Sequence, residues 1–398
     1  MRILFITTHN LATNPRLVKE IDLALSNNYQ VSVICYEFEN WSKELNEEIK
    51  SKWGTSIEYI SIPGGHKPFI PWIISTLVSK LSNTFVSLAF LNLSIYSNKR
   101  TWLLLKSLKK IFYKVDLIIA HNPGSFYPAL QFSKSKNIPF AIDIEDYHPG
   151  ETRDEKEIKI IKSLQSLVFP SAQYLSAASP MILTNVVNDL EGEVINKTEV
   201  IFNTFLSTEF STPKELTGKL KLVWFSQYIS FGRGLEKIIS SIEEYNSAIE
   251  LYLYGKLNDD FYQRFLVNHK NIIIKSPVSQ KILHYELSNY DIGLAIEDPN
   301  ANYNRKLCLT NKIFAYLQSG LFILASDTPA QNSFIESYPG HGVISSMNPD
   351  SLSDVILFFI NNKENIRNSR QNRFLSAISA SWEKESNKLL EIWKSVKG

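Results

Sequence analysis

With 398 residues, 44% of them hydrophobic, the chain exceeds one ordinary core and suits two α/β domains of roughly 150–200 residues each. The 42 basic and 40 acidic residues leave a formal charge of +2, which excludes a nucleic-acid binder that works through bulk positive charge. Two cysteines, Cys35 and Cys308, are too few for a disulfide framework or a cysteine-only metal site, and favour a reducing compartment.

Met1 leads directly into the apolar run Ile3–Ile6, followed by polar Thr7 to Asn10, which reads as a first β-strand and not as a secretion signal. A cytoplasmic location is expected. Further strand-like runs are Gln30–Tyr36, Val115–Ala120 and Phe140–Ile144. A second series comprises Lys221–Phe225, Ile249–Tyr254, Ile272–Ile274, Ile292–Ile296 and Leu321–Ala325. Their alternation with helical patterns predicts parallel sheets, and Val200–Phe205 followed by polar Ser207 to Gly218 separates the two series as a linker.

The stretch from Pro68 to Leu108 is rich in Ile, Leu, Phe and Trp, but Lys80, Asn83, Asn92, Lys99 and Arg100 interrupt it. It falls short of the ~20 uninterrupted apolar residues that a spanning helix needs. Two readings of 68–114 stay open: a pair of buried helices, or apolar faces that rest on a membrane surface beside Lys99, Arg100, Lys106, Lys109, Lys110 and Lys114.

In open parallel sheets ligands bind beyond the carboxyl ends of the strands. There the chain carries His9 and Asn10, His121 and Asn122, Asp143 to Asp146, Gln227, Gly255 and Lys256, Glu297 and Asp298, and Ser326 and Asp327. In the segment from Gly293 to Gly320, a strand ends at Glu297, a helix begins near Thr310 or Asn311, and Gly320 suits the helix end. The N–H groups and dipole of that helix start, with Arg305, Lys306 and Lys312 around it, suit a diphosphate; the same pattern also fits an ordinary capped helix with solvated cations. Gly232-Arg233-Gly234 offers a close backbone approach and a planar guanidinium, whose other use is an ion pair with Glu236. The group Asp143, Glu145, Asp146 and His148 offers metal ligation, acid–base chemistry or hydrogen bonding to ligand hydroxyls, with no defined metal-ligand geometry visible in it. His121 either faces a ligand or caps the next helix.

Several segments together resemble the GT-B glycosyltransferases of the family-four (group 1) type, many of which build bacterial surface polysaccharides. These are Asn14-Pro15-Arg16-Leu17-Val18-Lys19-Glu20, Val200-Ile201-Phe202-Asn203, Thr310-Asn311-Lys312-Ile313-Phe314-Ala315-Tyr316-Leu317 through Asp327-Thr328-Pro329, and Ser381-Trp382-Glu383-Lys384-Glu385. The resemblance implies an α/β protein of two Rossmann-like domains facing across a cleft. Residues 1–204 would form the acceptor domain, with the last helix, 380–398, packing back on it, and 205–379 the donor domain. It further implies transfer of a hexosyl group, with retention, from a nucleotide diphosphate sugar to a saccharide or lipid-linked saccharide, with no cofactor, metal or nucleic acid.

Carried over by position, Arg233 and Lys312 hold the donor diphosphate and His121 approaches the transferred sugar. Gln227, Gly232, Gly234, Glu297, Asn304, Arg305, Thr310 and Asn311 join the donor site, and His9, Asn10, Asn14, Arg16, Asp143, Glu145 and Asp146 the acceptor site. Three positions depart from the family pattern. Gln227 stands where a second basic residue is usual, Ala315 where an acid contacts the ribose, and Leu307 where an earlier glutamate occurs; Glu297, Asn304 or Asn311 are the candidates to replace those contacts. Those departures keep two alternatives in view, a non-catalytic sugar-nucleotide binder and a sugar-nucleotide epimerase on the same fold.

Overall fold

The computed structural model describes residues 1–65, 69–84 and 90–397. Contacts divide the chain into two compact units, Met1–Ile201 with Ser386–Gly398, and Phe202–Glu385.

The first unit contains β1 (Arg2–Thr7), β2 (Gln30–Glu37), β3 (Ile57–Pro63), β4 (Leu117–His121), β5 (Phe140–Ile144), β6 (Leu175–Ala177) and β7 (Thr198–Val200). They form one parallel sheet in the order β3-β2-β1-β4-β5-β6-β7. Helices cover both faces of such a sheet, which is why β1, β4 and β5 read as continuous apolar runs and are buried throughout or nearly so. The sequence reading passes over β3, which carries Glu58 at the sheet edge, and β6, which is three residues long, while the run Val200 to Asn203, which resembles a strand leading into the linker, meets β7 only at Val200.

The first helix, Pro15–Ser26, starts where its chemistry dictates. Asn14 Oδ1 accepts the Leu17 N–H at 3.1 Å, and Pro15 fills the first helical position, where no donor is needed. The apolar stretch that reads as two helices shows, among the described residues, the helical segments Phe69–Thr84, Phe90–Ser97 and Thr101–Leu108, with 85–89 outside the described residues. Pro68, its expected start, lies outside the described residues. In the last helix, Trp382–Lys397, Trp393 is fully buried, donates to Tyr174 Oη at 2.9 Å and meets Phe5 edge-on. Among the described residues no helix is long and apolar enough to cross a membrane.

The second unit contains β8 (Leu220–Ile229), β9 (Ile249–Leu257), β10 (Ile272–Lys275), β11 (Ile292–Ala295), β12 (Phe322–Ser326) and β13 (Gly342–Ser345). The order β10-β9-β8-β11-β12-β13 repeats the winding of the first unit, with its first and fourth strands side by side. Trp224, Leu251, Leu294, Ile356 and Phe359 anchor the core, each side chain worth about 1.5–3 kcal/mol on full burial. β13 also escapes the sequence reading, because Gly342 opens a run of only four residues. In this winding the crevice for a ligand lies where the strand order reverses, between β1 and β4 and between β8 and β11.

Candidate functional site

In the second unit, β8 carries one extra residue against β9: Phe225 pairs with Tyr254 and Tyr228 with Lys256. This bulge lies at Ser226 and Gln227 and leaves Gln227 exposed. Both residues line a cavity of about 570 Å³, together with Gly255, Val278, Thr310 and Lys312. Asn311 also lines it, and its Oδ1 accepts from Asn203 Nδ2 at 2.8 Å.

The helix Asn311–Gln318 begins at this cavity. Thr310 has the extended backbone of an N-cap, yet its hydroxyl makes no capping bond and is buried without a partner. The helix start thus presents uncapped N–H groups, and Lys312 adds charge beside it, an arrangement suited to an anion. Lys312 Nζ donates to Glu297 Oε1 and Arg305 Nη1 to Glu297 Oε2, each at 3.1 Å, with Glu297 8% exposed. The Glu297 N–H is in turn held by Ser326 Oγ at 2.8 Å. Asn304 is buried at the start of the short helix Asn304–Leu307, whose Leu307 is buried too, and Ala315 is fully buried.

Arg233 is exposed and lies outside that lining, on the turn between β8 and the helix Leu235–Ile242. Gly232 and Gly234 on either side have φ of +70° and +79°, which only glycine adopts without strain. Glu236 accepts the Gly232 N–H at 2.9 Å, so its carboxylate ties down the turn.

In the first unit, His9, Asn122, Glu145, Asp146, His148 and Glu151 line a cavity of about 510 Å³. Burial, with the Arg100 guanidinium and His148 nearby, pushes His9 down to about 4 and keeps its imidazole neutral. Burial, reinforced by Asp146, lifts Glu145 to about 7. Burial would lower His148, but Glu151, whose carboxylate lies 2.7 Å from Nδ1, outweighs it and raises the imidazole. Asn122 turns the chain from β4 into the helix Pro123–Lys136 at φ +74° and ψ 149°, a region nearly reserved for glycine, and accepts from the Thr7 hydroxyl. His148, grouped by sequence with Glu145 and Asp146, and Asn122, noted at the end of β4, both belong to the cavity, and Glu151 joins them without having been singled out. Their signal is position, in the loops after β4 and β5.

The remaining expected acceptor residues are buried and engaged with protein groups. Asn10 Nδ2 donates to Ser42 Oγ at 2.6 Å, and Asn14 caps its helix. Arg16 donates from Nε and Nη2 to the two oxygens of Asp143 at 2.6 and 2.7 Å, both side chains being fully shielded. His121, 2% exposed, stands between Glu20 and Asp143, with ring nitrogens 3.4 Å from each. Burial alone would depress His121, yet Glu20 and Asp143 prevail and hold it up to about 9. Burial and Asp143 raise Glu20, while Arg16 and His121 hold Asp143 well below the usual carboxylate range.

Glu20, His121 and Asp143 are the one group among the described residues close enough to share a metal ion. A guanidinium lies on both oxygens of Asp143, and Ser176 donates to Oδ1 at 2.5 Å. Those are the lone pairs a cation would need.

No protein-family profile matches the chain, and no curated protein matches it. Solved structures do. Anabaena HepE, in complex with UDP, is 13% identical over 99% of this chain and 100% of its own, with a TM-score of 0.68. A glycosyltransferase from Rickettsia africae is 15% identical over 99% and 98%, with a TM-score of 0.65. A UDP-GlcNAc 2-epimerase from Neisseria meningitidis, bound to UDP-GlcNAc, is 13% identical over 99% and 100%, with a TM-score of 0.59. The chain has the GT-B fold, built of two Rossmann-like domains.

Proposed function

We propose that the chain transfers a hexosyl group from a nucleotide diphosphate sugar to a saccharide or lipid-linked saccharide, with retention, in the synthesis of a surface polysaccharide or other glycoconjugate. One observation carries the reading: a cavity at the strand-order reversal of the second unit, where Thr310 and Lys312 present an uncapped helix start. The donor diphosphate fits there, and HepE, on the same fold, has been solved with both UDP and UDP-glucose.

In the reaction the bond between the anomeric carbon and the diphosphate oxygen breaks, and a bond from that carbon to an acceptor oxygen forms. The acceptor proton leaves with the diphosphate. Negative charge grows on the departing group, and the helix start, Lys312 and Arg233 stabilise it. Donor selection falls to Gln227, Glu297, Asn304, Arg305 and Asn311. The acceptor is taken by the first unit, at the cavity of His9, Glu145 and Asp146. Asn10, Asn14, Arg16, Asp143 and His121 act there from behind, by holding the ends of β1, β4 and β5. Retention and the hexosyl class rest on the family resemblance. The reaction is placed in the cytoplasm, in keeping with Cys35 and Cys308, which are both buried free thiols.

A thermal-shift screen against UDP, GDP, ADP and their sugar conjugates tests the donor site, because a ligand that binds only the folded state stabilises it. Stabilisation by one nucleotide, lost in Lys312→Ala, is expected. Turnover on the matching sugar conjugate should then fall by ~2–4 kcal/mol in kcat/KM for Arg233→Ala and for Lys312→Ala. Unchanged turnover in both would refute the assignment. The similarity to an epimerase supports a second reading, conversion of the donor sugar itself. Donor conversion with no acceptor present would select it.

A further inference from the structure

The helix Phe69–Thr84 exposes a line of large apolar side chains. Ile70, Ile74, Leu77 and Leu81 recur at the spacing of one helical face and are 70%, 38%, 54% and 59% exposed. The opposite side turns inward: Ser75 is buried, and Trp72 carries Lys99 Nζ 5.9 Å above its ring, which joins this helix to the segment that follows. Phe112, beyond the helix Thr101–Leu108, is 88% exposed. Soluble proteins seldom leave such a stripe uncovered unless something docks on it.

Charge identifies the occupant. From Glu58 to Asp116 the sequence contains no acidic residue between those two, although acids and bases nearly balance over the whole chain. Lys80, Lys106, Lys109 and Lys110 in this interval are exposed. A second copy of the chain would bring the same cations against themselves, with no acid in the interval to meet them. A planar anionic surface takes the apolar stripe and the lysines together.

We propose that the face of Ile70, Ile74, Leu77 and Leu81, with the exposed lysines of this acid-free interval supplying the charge, docks the protein on an anionic lipid bilayer, the helix lying in the interface plane. The surface belongs to the first unit and is separate from the donor cavity. Its test involves no nucleotide, so it stands or falls apart from the transferase reading.

The experiment is flotation of the full chain with vesicles of phosphatidylcholine alone or mixed equally with phosphatidylglycerol, at low and high salt. Binding is expected only to the mixed vesicles and should weaken as salt rises. Leu77→Glu/Leu81→Glu should lower partition by roughly tenfold or more, and Lys106→Gln/Lys109→Gln/Lys110→Gln should remove most of the salt dependence. The altered side chains are exposed, and an unchanged melting temperature confirms that the fold persists. Three results would overturn the proposal: no binding above the phosphatidylcholine control, equal binding by the variants, or a dimer in sedimentation velocity that Leu77→Glu/Leu81→Glu dissociates.

Discussion

Arg16→Met asks how much of the first unit's stability depends on its buried ion pair. Arg16 makes three bonds out of reach of water, to the two oxygens of Asp143 at 2.6 and 2.7 Å and from Nη1 to the Ile201 carbonyl at 2.5 Å. Breaking a buried pair by removing one member costs about 3–5 kcal/mol, largely because a charge is left behind. Asp143 would keep the Ser176 hydroxyl at 2.5 Å and His121 at 3.4 Å, which places the loss near the lower figure, about 3 kcal/mol. Asp143→Leu strands the guanidinium and should cost a similar amount. The double variant removes both charges at once, so its loss should fall at least about 2 kcal/mol short of the sum. Hydrogen exchange in peptides spanning residues 117–144 reads the opening of this part of the first unit directly. If Arg16→Met opens within about 1 kcal/mol of the wild type, or if the two losses simply add, the pair does not hold β5 and the reasoning fails.

Glu297→Gln removes the one carboxylate that Lys312 and Arg305 share, and should tighten inorganic pyrophosphate by roughly 3–10-fold in low-salt calorimetry. An unchanged affinity would mean that neither cation faces the anion. His9, held down to about 4 from its ordinary 6.5, contributes stability that is present above 6.5 and lost as pH falls through 4, at most about 3 kcal/mol. Equal acid limbs for wild type and His9→Gln in urea titrations between those pH values would contradict this. His121 has the opposite sign: its contribution is present below 6.5 and lost as pH rises through about 9, so His121→Gln should flatten the alkaline limb. Asn122→Gly relieves a glycine-like backbone, whereas Asn122→Ala keeps the strain and loses the Thr7 bond; the alanine variant should be less stable than the glycine variant by about 1–3 kcal/mol in thermal melts. Equal melting temperatures would show that the turn relaxes freely.

Strands with two buried faces were legible because burial on both sides makes an unbroken run of Ile, Leu, Val and Ala. Phe140–Ile144 matches its observed bounds, and Ile292–Ile296 differs from its own by one residue. Short or edge strands were not, since three residues such as Leu175–Ala177 carry no period at all. The bulge at Ser226 and Gln227 was equally silent: it depends on how β9 pairs alongside, and no local residue type demands it. Helix starts fared better where a capping side chain announces them, as Asn14 and Pro15 do.

The two cavities differ in legibility for a related reason. Thr310, Asn311 and Lys312 are consecutive, so one helix start places them together whatever the rest of the unit does. Arg16 and Asp143 lie on a helix and a strand far apart in sequence, and a polar residue at a strand end is equally suited to face a ligand or to pair with a buried partner. Topology decides between these. The β1–β4–β5 order brings Asp143 next to His121, and the first helix delivers Arg16 and Glu20 over them. Once a charge is buried it must be paired, and these four groups pair with one another. The open cavity is left to His9, Glu145, Asp146 and His148, on the loops beyond the same strand ends. A substitution in the buried group should therefore act on those loops through stability, whereas one in the cavity should change acceptor affinity with the fold intact, and measuring both on Arg16→Met and Asp146→Asn separates the two layers.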